Sequence, residues 1–266
     1  MMLIRTLHRM AAIAGGLLTL LCAGQPAVAA SPVMGAYVDN ATESPDGGSL
    51  ANTTTVSLIG VTSLAGWKLT ADVAYKAVRG GMPSLAEQRR SGRIVAGSKR
   101  KAIYETYGLT DTRISAERSI RLVGKVKLDL LARATMPTGQ RGTVRARGRY
   151  EAMLDAGLRT KVGRADIWAG AARRFRTAGF DIPGRDINEV YAGASVPVGK
   201  RTVLRADYLR SQSPFIGSPV EKSISGGATH TLDSGIAIDF YGSHFNDAYG
   251  KGVQVGLSLR MPTASI

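Results

Sequence analysis

The feature that most constrains this chain is a period-two alternation of apolar and polar residues, sustained over runs of about ten residues. From Lys125 to Met136, the residues Val126, Leu128, Leu130, Ala132, Ala134 and Met136 share one face. Lys125, Lys127, Asp129, Arg133 and Thr135 share the other, with Leu131 the lone apolar intruder. A helix would mix these two sets around its circumference, whereas a strand separates them. Trp67, Leu69, Ala71, Val73 and Tyr75 oppose Lys68, Thr70, Asp72 and Lys76 in the same way, with an aromatic at each end of the apolar stripe. Membrane barrels place aromatics at both interfaces, so this run has the character of a spanning strand.

The pattern returns along the chain. Ala152, Leu154, Ala156 and Leu158 oppose Asp155, Arg159 and Lys161, and Val190, Ala192, Ala194, Val196 and Val198 form another apolar face. Leu204, Ala206 and Tyr208 oppose Arg205 and Asp207, while Ile236, Ile238 and Phe240 oppose Asp239 and Tyr241. Val253, Val255, Leu257, Leu259 and Met261 oppose Gln254, Ser258 and Arg260. Full charges of both signs thus stand in mid-strand, as a wet lumen allows. The pore-lining candidates are Lys68, Asp72, Lys76, Lys125, Lys127, Asp129, Arg133, Asp155, Arg159, Lys161, Arg205, Asp207 and Asp239. Runs of this length suit tilted membrane strands, whereas strands of soluble sandwiches average about 5–6 residues. The expected fold is all-β: an antiparallel transmembrane β-barrel of about 12 strands, with 10 or 14 as alternatives. A soluble periplasmic β-sandwich is the competing architecture.

Connection lengths supply an independent check. Reading back from the C-terminus, Asn246 to Gly250 is of medium length and Asp233-Ser234 is short. Ser211 to Glu221 is long, Gly199-Lys200 short, Arg176 to Ile187 long, Gly163-Arg164 short and Pro137 to Tyr150 long. Outer-membrane barrels have long extracellular loops, short periplasmic turns and periplasmic termini, and this parity puts the C-terminus on the periplasmic side. In the N-terminal half, Thr53 to Thr62, the turn Ser63 to Gly66, and Trp67 to Lys76 form a hairpin, followed by a long basic loop from Arg79 to Lys101. A first strand is expected near Val33 to Val38. Ala102 to Val123 must hold a descending strand and a turn, placed either at Leu109-Thr110-Asp111 or nearer Val123.

Residues 1–29 have the form of a secretory signal peptide ahead of a barrel domain at 30–266. Arg5, His8 and Arg9 precede an apolar stretch from Met10 to Cys22, and Ala27-Val28-Ala29 supplies small residues for cleavage. The stretch is too short for a membrane helix, which needs about 20 residues. Cys22 is the only cysteine, so the mature chain has no disulfide, thiol nucleophile or cysteine metal site. The signal holds two of the 35 basic residues, so most of the net charge of +15 belongs to the mature chain. Such basicity usually suggests nucleic acid. Export argues against that partner, and so does the scattering of single charges between apolar residues.

Tyr107-Gly108-Leu109-Thr110-Asp111 is followed by an alternating strand that ends in Met136-Pro137-Thr138-Gly139. This pair of motifs resembles the outer-membrane barrel family named for the meta-pathway of phenol degradation, over roughly Ile103 to Phe175. Met136 stands where that family often has Leu, and Thr135 where it has Lys. The resemblance implies a channel or uptake protein associated with hydrophobic or aromatic compounds, and it brings no catalytic residues.

An enzyme of the barrel-hydrolase kind needs a serine within reach of an imidazole. The mature histidines are His230 and His244. Ser243 is adjacent to His244 and therefore faces the other side of a strand, and Ala228 and Leu232 flank His230 at i±2. No metal-ligand cluster, phosphate loop or cofactor motif stands out, so no catalytic, metal or cofactor-binding residues are assigned. The expected function is an outer-membrane channel or transporter for small solutes, anionic or aromatic. A non-conducting structural or lipid-contacting barrel is the alternative. Expected partners are outer-membrane lipid and lipopolysaccharide and the barrel-assembly machinery, with no nucleic acid. Lumen lysines and arginines that outnumber lumen aspartates would produce a modest anion preference.

Overall fold

The computed structural model describes residues 33–45, 51–80, 104–139, 150–177, 185–213, 220–247, 250–261 and 264–265. The signal segment 1–29 and most of the basic loop after Arg79 lie outside them. Every regular element among the described residues is a strand: β1 Val33–Pro45, β2 Ala51–Leu64, β3 Trp67–Gly80, β4 Tyr104–Leu109, β5 Thr112–Arg121, β6 Lys127–Met136 and β7 Glu151–Val162. Then follow β8 Ala165–Arg176, β9 Ile187–Val198, β10 Thr202–Ser211, β11 Glu221–Thr231, β12 Ala237–Asp247, β13 Gly250–Arg260 and β14 Ala264–Ser265.

Successive strands pair antiparallel, and β13 closes on β1 in a register running from Tyr37 opposite Arg260 to Pro45 opposite Gly252. β4 and β5 are two halves of one wall strand, since both pair with β3. Tyr75 faces Leu109 and Asp72 faces Arg113, so four steps on one strand match three on the other. That extra residue is a bulge. The two-residue β14 pairs only with Val33 and Met34 at the start of β1. The result is a closed barrel of twelve strands, which excludes the sandwich.

The bulge explains why the fourth strand was hard to read. Leu109-Thr110-Asp111 does not turn the chain; the turn is at Leu122 to Val126, where the Leu122 amide donates to the Val126 carbonyl at 3.0 Å and the Val126 amide donates to that of Val123 at 2.9 Å. Lys125 sits in that turn rather than on β6. The first strand runs well beyond Val38, to Pro45. Short turns follow the chemistry expected of them. Ala65 and Gly66 both have positive φ, 51° and 78°, as a two-residue hairpin between right-twisted strands requires.

Which face is inside follows from side chains that reach past a neighbouring strand, possible only on the concave side. Tyr191 of β9 donates to Asp155 of β7 at 2.5 Å, and Tyr241 of β12 donates to Asp39 of β1 at 2.8 Å. Register then assigns every position. The convex face carries apolar side chains in the open: Leu58 is 58% exposed, Ile224 63%, Phe240 58% and Val255 55%. The buried apolar residues are mostly small, among them Ala41, Ala51, Ala74, Ala116, Ala152 and Ala172. A protein folded in water buries its large apolar residues and leaves no such continuous band outside. Here the arrangement is inverted, as lipid requires.

Candidate functional site: the barrel interior

Alternation along the strands turns the charged residues inward, and cross-strand register decides which of them meet. Lys68, Asp72, Lys76, Lys127, Asp129, Arg133, Asp155, Arg159, Lys161, Arg205, Asp207 and Asp239 all share the concave face. Lys125 does not, because its turn lies at the end of the barrel wall and it belongs to no strand.

These residues form separate groups rather than one cluster. Along β3 to β8, Arg113 grips Asp72 through Nε and Nη2 at 3.0 and 2.8 Å, and Lys68 lies 3.5 Å from Glu117. Arg159 is 2.8 Å from Asp129, which also accepts a hydrogen bond from Ser119. Trp168 lies between two guanidinium groups, Arg159 at 5.8 Å and Arg205 at 5.6 Å from its ring centre, and Arg205 in turn holds Asp207 at 2.6 Å. Between β12 and β13, Asp239 accepts from Ser258 at 3.2 Å and from Arg260 at 3.1 Å.

The densest network stands at the long-loop end and was missed by the sequence reading. Arg174 of β8 bridges Glu151 of β7 at 3.0 Å and Glu189 of β9 at 2.9 Å. Arg176 donates to Glu151 at 2.7 Å, and Ser211 of β10 to Glu189 at 3.3 Å. These side chains are nearly out of solvent, with Arg176 6%, Glu151 10%, Glu189 11% and Arg174 23% exposed. The signal was present, since Glu189 and Tyr191 alternate with the apolar face Val190 to Val198. Completing the second face of each run would have found them.

Four interior cations differ from the rest. Lys127 and Arg133 on β6, Arg121 on β5 and Lys161 on β7 make no ion pair among the described residues, although Lys161 stands opposite Asp166. Arg133 stands opposite Ser115 and Met153, with Arg113 and Arg174 near enough to repel it and Asp72 and Glu117 near enough to attract it. Lys127 stands opposite Arg121 and Arg159.

Interior aromatics lie flat on the wall over glycines. Tyr191 crosses Gly157 and Gly170, Trp168 covers Gly193, and Tyr241 covers Gly256. A Cβ at Gly193 would come within 2.6 Å of the Trp168 ring, and one at Gly157 within 2.6 Å of the Tyr191 hydroxyl. Glycine therefore lets these rings hug the wall instead of crossing the lumen. The motifs of the family resemblance also meet. Thr112 donates its amide to Thr138 Oγ1 at 2.9 Å, and the Gly139 amide donates to Asp111 at 3.1 Å. Asp111 at the bulge thus ties the end of β6 to the fourth wall strand.

His244 and Ser243 face opposite sides of β12, and His230 contacts Thr202 at 2.9 Å on the convex face. No group of three or more histidine, cysteine or acidic side chains able to hold a metal occurs among the described residues.

No protein-family model matches the sequence, and no curated protein is similar enough to count as a match. Solved structures do match in fold. A crystal structure of an outer-membrane channel from Pseudomonas putida F1 superposes with a TM-score of 0.63 at 12% identity, covering 91% of this chain and 97% of its own. The NanC porin gives 0.54 at 6% identity, covering 85% and 99%. The KdgM porin in complex with disordered oligogalacturonate gives 0.50 at 7% identity, covering 85% and 98%. At these identities the likeness is one of fold.

Proposed function

We propose that the mature chain is a passive outer-membrane channel for small solutes, exported by the signal at residues 1–29 and inserted by the barrel-assembly machinery. One observation carries the reading: a closed sheet whose concave face is polar and charged and whose convex face exposes a continuous apolar band. Barrels of eight strands fill their interior with side chains and those of sixteen or more leave an aqueous channel, so about twelve leave a narrow path. Flattening of Tyr191, Trp168 and Tyr241 onto the wall supports such a path. The likeness in fold to a channel and two porins points the same way.

Most interior charges are paired, so the lumen presents dipoles along much of its length. Arg121, Lys127, Arg133 and Lys161 carry positive charge outside any ion pair among the described residues, which favours small organic anions. Aromatic carboxylates fit both this charge and the family resemblance carried by Tyr107–Asp111 and Met136–Gly139. The competing reading, a non-conducting barrel, draws on the same ion pairs, which would close the lumen if their side chains met across it. Purified protein in a planar bilayer separates the two. Discrete conductance steps are expected, and their absence from protein that shifts between heated and unheated gel lanes removes the channel.

A further inference from the structure

On the convex face, register makes Arg210, Lys222, Asn246 and Lys251 direct cross-strand neighbours on β10, β11, β12 and β13. Each stands one residue inside the long-loop end of its strand. Like charges placed directly opposite, as Arg210 and Lys222 are, destabilise a sheet. Neither they nor Lys251 has an acidic side chain within ion-pair distance among the described residues. The adjoining connections 212–220 and 248–249 contain no Asp or Glu at all. Arg173 shows the ordinary solution elsewhere on the same rim: it is convex-facing too, but Asp186 lies 3.2 Å from it.

The row is continuous with the apolar band. Tyr208, Ile224 and Val253 stand two residues further from the loop end on the same face, 39%, 63% and 46% exposed. A soluble polyanion would need the charges but not the apolar surface beneath them. An occupant that uses both has a phosphorylated head and acyl chains. Three interstrand steps make the row about 14 Å wide, room for more than one phosphate. Arg210 offers a planar donor fork, the lysines point charges and Asn246 an amide donor.

We propose that Arg210, Lys222, Asn246 and Lys251 form a docking surface for the phosphate groups of the glycolipid in the outer leaflet. The assignment rests on the outer-membrane orientation given above, with the long loops outside, and not on conduction.

The test uses the refolded full chain in neutral detergent, with bisphosphorylated lipid A and the same lipid stripped of phosphate as probes. Retention is read by native mass spectrometry and stabilisation by thermal unfolding. Lipid A should bind and raise Tm, and the dephosphorylated lipid should do neither. The triple variant Arg210→Gln/Lys222→Gln/Lys251→Gln should bind lipid A at least about tenfold more weakly, with bilayer conductance unchanged. Lys200→Gln, in a turn at the opposite end, should behave as the parent. Lys222→Gln alone removes the repulsion with Arg210, so without lipid it should be no less stable than the parent, and lipid A should stabilise it less. Equal binding by the triple variant, equal binding of the dephosphorylated lipid, or a Lys222→Gln chain weakened in the absence of lipid overturns the proposal. A barrel that binds lipid A but never conducts would sink the channel and leave this surface standing.

Discussion

Arg174 shows what single residues do in this interior. Its guanidinium is shared by two carboxylates from neighbouring strands, both nearly out of solvent. Removing one partner from such a pair leaves the other charged and desolvated, which costs more than the pair itself contributes. Arg174→Met should therefore destabilise the barrel by about 3 kcal/mol. Adding Glu189→Gln should recover part of the loss, because Glu151 keeps Arg176 and no carboxylate is then left without a cation. Urea unfolding in liposomes, followed by tryptophan fluorescence, reads both changes, and an Arg174→Met/Glu189→Gln variant weaker than Arg174→Met alone contradicts the argument. At this scale the sequence was legible where charges alternate with apolar neighbours, as at Asp129, Arg133 and Arg159. It was not legible for Lys125, whose alternation is genuine but continues past the strand into a turn. Period two reports which side a residue would face, not where the hydrogen-bonded ladder stops.

Among the elements, β8 and β9 are coupled by more than their ladder. Gly170 faces Tyr191 directly, and a Cβ there would meet both the Tyr191 ring and the Ala156 carbonyl oxygen at 2.7 Å. Gly170→Val should cost about 1–3 kcal/mol, as overpacking does, and should tilt Tyr191 into the lumen. Tyr191→Phe keeps the ring and loses the bond to Asp155, at about 1 kcal/mol. Conductance should fall in the first variant and hold in the second. Equal conductance in both would mean that Tyr191 does not border the path. These contacts could not be read from the chain, since a glycine in a strand says only that something comes close. Which ring comes close depends on register between strands some twenty residues apart. The bulge at Leu109–Thr112 was illegible for a related reason: one extra residue shifts the alternation by one, so β4 and β5 each lose the pattern that identifies a strand.

For the whole molecule, the alternation of long and short connections was readable and predicts which end faces out. Tyr150 is exposed at a long connection, and Lys200 and Asp233 sit in short turns at the opposite end. An impermeant thiol reagent should label Tyr150→Cys in whole cells and spare Lys200→Cys and Asp233→Cys until the outer membrane is opened. Ser213 lies on the long-loop side but is 2% exposed, so it is a poor reporter. The reverse labelling pattern inverts the topology.

Ion selectivity is also a property of the whole barrel. Counting the aspartates and basic residues of the alternating runs alone suggests an excess of positive charge. The structure adds Arg113, Arg121, Arg174, Arg176 and Arg260, but also Asp39, Glu117, Glu151, Asp166, Glu189 and Glu221, and pairs most of them. A paired charge contributes a short-range dipole, so the field that a permeating ion meets comes mainly from the cations outside ion pairs, Arg121, Lys127, Arg133 and Lys161, offset in part by Asp39, Asp155 and Asp166. The anion preference should therefore be modest. Its long-range part should fade as salt rises, because the Debye length drops from about 10 Å at 0.1 M to about 3 Å at 1 M. Arg133→Glu reverses one of the unpaired charges, beside Asp72 and Glu117, and should shift the reversal potential toward cation selectivity. Arg205→Gln removes a cation already held by Asp207 and should shift the potential in the same direction but less. Reversal potentials across a tenfold salt gradient measure both. Arg133→Glu changes two units of charge and Arg205→Gln one, so if Arg205→Gln moves the potential half as far or more, total charge rather than unpaired charge sets the selectivity.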